Sequence, residues 1–217
     1  MFSDACGLWW KTFLALAYTS GGRRDELINL TWADVDFEKH NVRFVPKQDS
    51  ESLLAWEPKD HQMREVPIPS ETVKLLVNLQ LEAEETSPYV FITKARLSHI
   101  LNRRTKGSWQ PDSEIVHNLI RDLKVLCRRV GVNSFTLHDL RRSCITNWAR
   151  GLPIQTVQYL AGHSSIETKR KYYLSVQQSD LDLARRLQSK VMTSLTNFGL
   201  KSPILGHVTK KLPNVSV

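Results

Sequence analysis

The sequence YTSGGRRDELINLTWADVDF, residues 18–37, carries the signals that decide how the first part of this chain folds. Just upstream, residues 6–19 place apolar side chains at helical spacing, which predicts a helix. The pair Gly21-Gly22 interrupts this pattern and predicts a helix end or a tight turn. Apolar residues return over 24–30, so a second helix is expected there, and the segment WADVDFEKHN is expected to follow it as turns.

Three short segments beyond this turn have the composition and alternation of strands. They are NVRFVP (41–46), SLLAWEP (52–58) and REVPIP (64–69), and the polar turn KDHQM separates the last two. Short strands joined by short connections pair antiparallel. The sequence therefore predicts a small three-stranded antiparallel sheet built from these segments.

Helical patterns dominate the rest of the chain. Helices are predicted over 70–85, with Ser70 as the N-cap, over 114–130 and over 179–195, and a polar surface loop is predicted over 103–113. The last helix is amphipathic. Its apolar stripe fits docking onto a neighbouring copy of the chain and packing on its own domain equally well.

The segment TLHDLRRSCITNWARG, residues 136–151, opens with Thr136 and Asp139 at the spacing of a capping box and closes at a glycine. Pro153 suits the first turn of the next helix, and Ser165 suits the N-cap of the one after that. The fold class is therefore mainly α with a small three-stranded antiparallel β-sheet (α+β). One domain is expected over residues 1–198, followed by a flexible tail over 199–217.

Composition narrows the class of protein. Lys and Arg number 30 against 22 Asp and Glu, a formal net charge of +8 that favours a polyanionic partner. The cysteines Cys6, Cys127 and Cys144 are odd in number and widely spaced, which suits free thiols in a reducing cytoplasm. The chain has no run of 18 apolar residues and no Cys or His spacing typical of zinc, so neither a membrane span nor a zinc site is expected.

A few residues are candidates for chemistry on an anion. His138 and Arg141, three apart near a helix start, lie on one face of that helix, where free N–H groups already favour negative charge. Arg23 follows two glycines that allow close approach to a ligand, and Glu26 is placed to hold it. Lys59 begins the polar turn and is able to reach outward. Each also has a plainer interpretation as a surface ion pair or a solvated charge.

The segment GHSSIETKRKYY, residues 162–173, adds His163 and two adjacent tyrosines. A lone histidine is most often structural. A tyrosine serves as core filling, as a surface hydrogen bonder or as a nucleophile, and neighbouring helical positions diverge by about 100 degrees. Taken alone, these residues decide nothing.

Their order and spacing resemble the tyrosine recombinases, the phage integrase family. Residues 20–27 and the Leu30, Trp32, Asp34, Val35 series are similar to that family's first arginine box, and HDLRRS at 138–143 resembles its second. LAGHSS at 160–165 is similar to the segment whose histidine precedes the nucleophilic tyrosine by nine residues, which leads to Tyr172. Lys59 and the REVPI that follows resemble the family's hairpin lysine before R-x-V-P-[LI]. The boxes span residues 18–173.

The resemblance implies a DNA-breaking and rejoining enzyme. Arg23 and Arg141 would neutralise the phosphate oxygens, and His163 would donate a hydrogen bond to them. His138 would take the tyrosine proton or donate to the phosphate, and both roles stay open.

In the same scheme Tyr172 would attack phosphorus to form a 3′-phosphotyrosyl link, and Lys59 would protonate the leaving 5′ oxygen. Neither a metal, ATP nor another cofactor is implied. The expected partners are double-stranded DNA and, on paired DNA sites, a tetramer of this chain, with no membrane. An N-terminal DNA-clamping domain, usual in full-length relatives, is not expected within this chain.

The first box departs from the family pattern at Ser20, Gly22 and Arg24, and Lys169 stands where a threonine is common. Three alternatives remain: a type IB topoisomerase with a similar site, a DNA-binding regulatory protein of the same fold without catalysis, and a helical partner-binding module whose charge is incidental. The complete set of candidate residues weighs against the regulatory protein, and the match in spacing weighs against the partner-binding module.

Overall fold

The computed structural model describes residues 6–61, 63–83, 87–110, 115–116, 118–162 and 178–196, which form a helical domain around a small sheet. In chain order the helices are α1 (Leu8–Ser20), α2 (Arg24–Ile28), α3 (Ser70–Glu82), α4 (Lys94–Thr105), α5 (Leu119–Arg129), α6 (Leu137–Ala149), α7 (Ile154–Ala161) and α8 (Gln178–Thr196). Two 3₁₀ turns, Trp32–Asp34 and Lys59–His61, complete the described helical segments. The mainly α class is confirmed.

The sheet is three-stranded and antiparallel, in the order β1 (Val35–Asp36), β2 (Asn41–Phe44) and β3 (Arg64–Pro67). In the register, Val35 lies opposite Val42, Val42 opposite Val66, and Phe44 opposite Arg64. The number of strands and their direction were predicted correctly.

The identity of one strand was wrong. The segment 52–58 does not join the sheet, and residues 35–36, expected to be turn, form its first strand. Within 52–58, Trp56 pairs with Lys47 in an isolated bridge, and the Leu54 N–H donates to the Tyr89 hydroxyl at 2.8 Å. The segment instead forms a small hairpin within the β2–β3 connection, closed by backbone hydrogen bonds between Lys47 and Trp56 and between Ser50 and Leu53.

Several helix boundaries also differ from expectation; α3, for example, ends at Glu82 and not at residue 85. Pro69, not Ser70, is the N-cap of α3, since Ser70 is already helical and its hydroxyl contacts Glu71. The expected loop over 103–113 begins later, because α4 continues to Thr105 with a basic last turn that suits the helix dipole. The helix expected over 114–130 begins only at Leu119. Ser165 and the tail 199–217 lie outside the described residues.

Helix α1 is at the centre of the core and packs against α3 and α6. Its apolar residues Phe13, Leu16 and Ala17 are fully buried. The buried hydroxyls of Thr19 and Ser20 donate to carbonyls one turn back, at 2.8 Å and 2.7 Å. Polar side chains satisfied in this way allow the end of α1, and the turn after it, to lie inside the protein.

The amphipathic helix α8 packs on its own domain, against β3, α6 and α3. Ala184, Gln188 and Met192 are its most buried residues. Arg185 donates to the Lys39 carbonyl and to Asn41 beside the sheet. Helix α8 therefore packs within the chain, and its docking onto a neighbouring copy stays a prediction. None of the described helices has the length and apolar character needed to cross a membrane.

Candidate active site

The turn after α1 positions Arg23. Gly21 adopts a left-handed conformation (φ 59°), and the Ser20 hydroxyl accepts a hydrogen bond from the Gly22 N–H at 3.2 Å. Arg23 is then the N-cap of α2, and the Glu26 side chain accepts from its backbone N–H at 2.6 Å. The glycine pair therefore turns the chain so that one arginine begins a new helix beside the end of the previous one.

This turn explains one departure from the family pattern, at Gly22, and accommodates another, at Ser20. A Cβ at Gly22 would lie 2.8 Å from Leu27 Cδ2 and 3.0 Å from Phe44 Cζ, so a larger residue does not fit. Phe44 and Leu27 occupy the space that a large apolar side chain would take. Ser20 supplies a hydroxyl that accepts from the turn.

The carboxylate of Glu26 is the centre of the site's charge network. Its Oε1 accepts from Nη1 of Arg23 at 2.9 Å and from Nη1 of Arg64 at 2.7 Å. Its Oε2 accepts from Nη2 of Arg64 at 2.7 Å and from the Arg23 backbone. Burial alone would raise the pKa of Glu26, but hydrogen bonds and charge from Arg64 and Arg23 outweigh it and hold the pKa at about 2. Glu26 is therefore ionised at neutral pH.

Helix α6 brings in Arg141. The expected capping box is present: the Thr136 hydroxyl accepts from the Asp139 N–H at 3.2 Å, and the Asp139 carboxylate accepts from the Thr136 N–H at 2.9 Å. One turn further, the buried Arg141 donates through Nη1 to the Gly21 carbonyl and through Nη2 to the Ala161 carbonyl. Burial, and then the charges of Arg23 and Arg64, lower the pKa of Arg141 to about 10, so it also remains charged at neutral pH.

Three successive carbonyls at the end of α7 each accept from a different arginine. Arg64 Nε donates to Leu160 O at 2.9 Å, Arg141 donates to Ala161 O, and Arg23 Nη2 donates to Gly162 O at 2.8 Å. A helix C-terminus carries partial negative charge and free carbonyls, so guanidinium donors are its natural partners. The arginines come from α2, β3 and α6, and α7 therefore joins all three elements at one point.

Gly162 is the residue that allows this close approach. Its φ is +58°, and a Cβ there would lie 3.0 Å from Nη1 of Arg64 and 3.4 Å from Nη1 of Arg23. A side chain at this position would therefore meet two guanidinium groups as well as the strain of a left-handed backbone.

Gly162→Ala is accordingly expected to be more damaging than the same change at a comparable helix end. Gly107 follows α4 with φ +66°, and no atom lies within 4 Å of its ideal Cβ, so Gly107→Ala measures the backbone strain alone, about 1–2 kcal/mol. Gly162→Ala should lose about 1–3 kcal/mol more, because the crowded guanidinium groups must shift. Urea unfolding of both variants checks this. Equal losses would show that the guanidinium groups move aside freely.

The other candidate residues differ in how they relate to this cluster. His138 is exposed, one turn before Arg141 on α6. Lys59 is exposed at the start of its 3₁₀ turn in the β2–β3 connection, and no contact among the described residues joins it to the arginines. His163 and Tyr172 lie outside the described residues.

Arg64 was not predicted as a site residue, although its side chain is only 1% exposed at the centre of the network. The residues around Arg64 contained a pattern that could have indicated its burial. Strand alternation in REVP places Arg64 on the same face as the buried Val66. An arginine on the buried face of a strand requires a negatively charged partner, which here is Glu26.

The site carries an excess of positive charge. Arg23, Arg64 and Arg141 together bring three positive charges, and Glu26 brings one negative charge. The Arg23 side chain remains 24% exposed, so this end of the cluster is open to a ligand. A cluster of this kind favours an anion with several oxygens, such as a phosphate group. Within the described ranges, no group of three or more His, Cys, Asp or Glu side chains is placed to hold a metal ion.

Known proteins are similar to this chain in sequence. The chain is 28% identical over 182 residues to a XerC-like tyrosine recombinase of Caldanaerobacter subterraneus subsp. tengcongensis, covering 76% of this chain and 45% of that protein. It is 33% identical over 164 residues to tyrosine recombinase XerA of Pyrococcus horikoshii, covering 75% and 49%. The chain thus spans about half the length of these relatives.

Two solved structures have a similar fold. The crystal structure of XerA recombinase superposes with a TM-score of 0.53 at 19% identity, over 92% of this chain and 60% of that one. The Tn1549 transposon integrase in complex with a circular intermediate DNA superposes with a TM-score of 0.52 at 17% identity, over 80% and 56%. The sequence model of the phage integrase family matches residues 2–179. With that match over most of its length, the chain belongs to the phage integrase family of tyrosine recombinases.

Proposed function

We propose that this chain is the catalytic domain of a site-specific recombinase that cleaves and rejoins DNA strands through a covalent 3′-phosphotyrosyl intermediate. The observation that carries the proposal is the convergence of Arg23, Arg64 and Arg141 on the end of α7, immediately before His163. Family membership and the basic net charge support DNA as the substrate.

The arginines would act on the phosphodiester first. A phosphodiester is negatively charged and repels a phenolate, so its non-bridging oxygens must be neutralised before attack. Arg23 and Arg141 are held in advance by Glu26 and by backbone carbonyls, so their charge needs little reorganisation as the transition state forms. His163 would add a hydrogen bond to the same oxygens.

The bond changes would then balance without an external energy source. The Tyr172 hydroxyl attacks phosphorus and loses its proton, for which His138 is the candidate acceptor. The bond from phosphorus to the 5′ oxygen breaks, and that oxygen takes a proton from Lys59 as it leaves. Attack by a different 5′-hydroxyl reverses these steps, releases the tyrosine and joins new strands. Neither ATP nor a metal ion enters this scheme. Two pairs of protomers would act on two DNA duplexes.

Covalent capture of a nicked duplex tests this proposal. The protein is incubated with duplexes from the DNA flanking its gene, each labelled on one side of the cleavage point, because loss of the short strand beyond the nick traps the intermediate. We expect an SDS-resistant adduct that carries the label from the 5′ side, together with a free 5′-hydroxyl end. Label from the 3′ side would mean the opposite polarity and a different mechanism. Salt-sensitive binding without any adduct would favour a DNA-binding protein without catalysis, and relaxation of supercoiled DNA by monomers would favour a topoisomerase.

A further inference from the structure

We propose that Arg64 is a positioning residue for the reaction, one that fixes Arg23 and the end of α7 without contacting DNA itself; this inference rests on the proposed function. Arg64 lies opposite Phe44 in the β2–β3 register, and its guanidinium carbon is 4.5 Å from the centre of the Phe44 ring. Its side chain is 1% exposed, against 24% for Arg23. Arg64 therefore lies deeper in the protein than Arg23, on the side of it away from solvent.

The hydrogen bonds of Arg64 divide between two partners that belong to different parts of the site. Nη1 and Nη2 form a bidentate pair with the two oxygens of Glu26, both at 2.7 Å. Nε donates to the Leu160 carbonyl at 2.9 Å. One planar group thus sets the orientation of Glu26 and the position of the last turn of α7.

Glu26 in turn fixes the orientation of Arg23. The same oxygen that accepts from Arg64 Nη1 also accepts from Arg23 Nη1, and the other oxygen accepts from the Arg23 backbone. Arg23 in turn donates to Gly162, two residues beyond the carbonyl that Arg64 holds. Arg64, Glu26, Arg23 and the end of α7 therefore form a closed ring of hydrogen bonds.

Lysine cannot replace this arrangement. An ammonium group keeps the positive charge but lacks the planar fork that bonds a carboxylate with two nitrogens while a third bonds a carbonyl. Arg64→Lys is therefore expected to leave the charge balance of the site intact and to lose its geometry. A displacement of about 1 Å in a positioned catalytic group can reduce a rate about 100-fold.

Arg64→Lys is tested against Arg43→Lys, a matched change on the neighbouring strand. Arg43 is exposed and donates to the Ala33 carbonyl outside the ring. Single-turnover adduct formation on the nicked duplex is measured for each folded variant, together with the DNA dissociation constant and its salt dependence. We expect Arg64→Lys to form adduct about 10- to 100-fold more slowly, with a dissociation constant within about threefold of the unaltered protein. Arg43→Lys should keep the original rate.

Amide hydrogen exchange gives a readout that does not depend on activity. Arg64→Lys should raise exchange at the Ala161 and Gly162 amides at least about tenfold, while core amides of α1 keep their protection. If the unaltered protein forms no adduct, the proposed function fails, and exchange alone then decides whether Arg64 anchors α7. Phe44→Leu is the second variant should Arg64→Lys not fold, because it keeps every charge and removes the ring beneath the guanidinium. For Phe44→Leu we expect slower adduct formation and faster amide exchange at the end of α7, each smaller in size than for Arg64→Lys.

Three results would overturn the proposal. The first is an unchanged rate in a folded Arg64→Lys or Phe44→Leu variant. The second is unchanged exchange at the end of α7. The third is a loss of DNA affinity large enough to account for the whole loss of rate, together with a weaker dependence of binding on salt, by about one unit in the slope of log affinity against log salt concentration. That result would make Arg64 a direct phosphate contact.

Discussion

Replacing Tyr172 by phenylalanine is expected to abolish the covalent adduct while leaving DNA binding unchanged. The change removes one hydroxyl oxygen, and in the proposed reaction this oxygen is the atom that attacks phosphorus. Removal of a nucleophile can cost an enzyme about 10⁶ in rate, so no adduct should rise above background. The measurement is the nicked-duplex capture, with DNA affinity determined for the same preparation.

Tyr173→Phe is the matched control. It removes the same atom one position later, and it should retain the adduct because the family spacing of nine residues from His163 leads to Tyr172. If only Tyr173→Phe lost the adduct, the enzyme class would stand and the assigned nucleophile would move by one residue. If both single variants kept it, neither tyrosine would be essential, and the proposed mechanism would be wrong.

Glu26→Gln is expected to lower the free energy of unfolding by about 3–5 kcal/mol, the largest effect on stability that we predict. The change keeps the shape of the side chain but removes its charge, and it leaves the guanidinium of Arg64, 1% exposed, without a negative partner. Breaking a buried ion pair from one side typically costs this much, because the remaining charge stays desolvated. Asp25→Asn is the control. Asp25 is the neighbouring residue of α2, and its side chain is 62% exposed in an ion pair with Arg24, so its loss should stay below about 1 kcal/mol.

The pH dependence of the unfolding free energy tests whether the negative charge of Glu26 stabilises the fold. The pKa of Glu26 falls from an ordinary 4.5 to about 2 in the folded protein, which corresponds to about 3 kcal/mol of stability. Because the pKa is lowered on folding, this stability is fully present above pH 4.5 and is lost as the pH falls through about 2. The gap between the unaltered protein and Glu26→Gln should therefore narrow between pH 4.5 and pH 2. A constant gap would show that the carboxylate charge does not stabilise the fold.

Local signals in the sequence were enough for several elements of the fold. The glycine pair after residue 20 ended α1 as expected, and Thr136 and Asp139 formed the predicted capping box of α6. The presence of a small antiparallel sheet was also predicted correctly. The glycine turn and the capping box depend on residues within about four positions of one another, so their physical causes lie in a single short stretch of chain.

Which segments form the strands was harder to predict from the sequence, because it depends on which backbone groups find hydrogen-bond partners. Residues 52–58 have a strand-like composition, but a bridge to Lys47 and the Tyr89 hydroxyl take their hydrogen bonds. Val35 and Asp36 are too short a segment to show strand alternation, and they pair because the turn after them brings them beside β2. Pairing of this kind is a property of the neighbours and not of the segment.

The candidate site was predicted in part. Arg23 and Arg141 were named from their local context and from the resemblance to the family's two arginine boxes, and the structure brings both to the end of α7. The roles of Lys59, His138, His163 and Tyr172 stay predictions. Arg64 was missed as a site residue because its significance depends on Glu26, 38 positions earlier in the chain, and on the carbonyl of Leu160, 96 positions later.

The sequence by itself therefore determined the family, the order of the boxes and the local turns that present each arginine, because these are written in short patterns with fixed spacing. The tertiary structure decided which charges meet. Arg23 and Gly162 are 139 positions apart, and no local pattern links them. Their contact arises because guanidinium groups drawn into the protein must find acceptors, and in this fold those acceptors are one carboxylate, the Gly21 carbonyl and three carbonyls at the end of a helix.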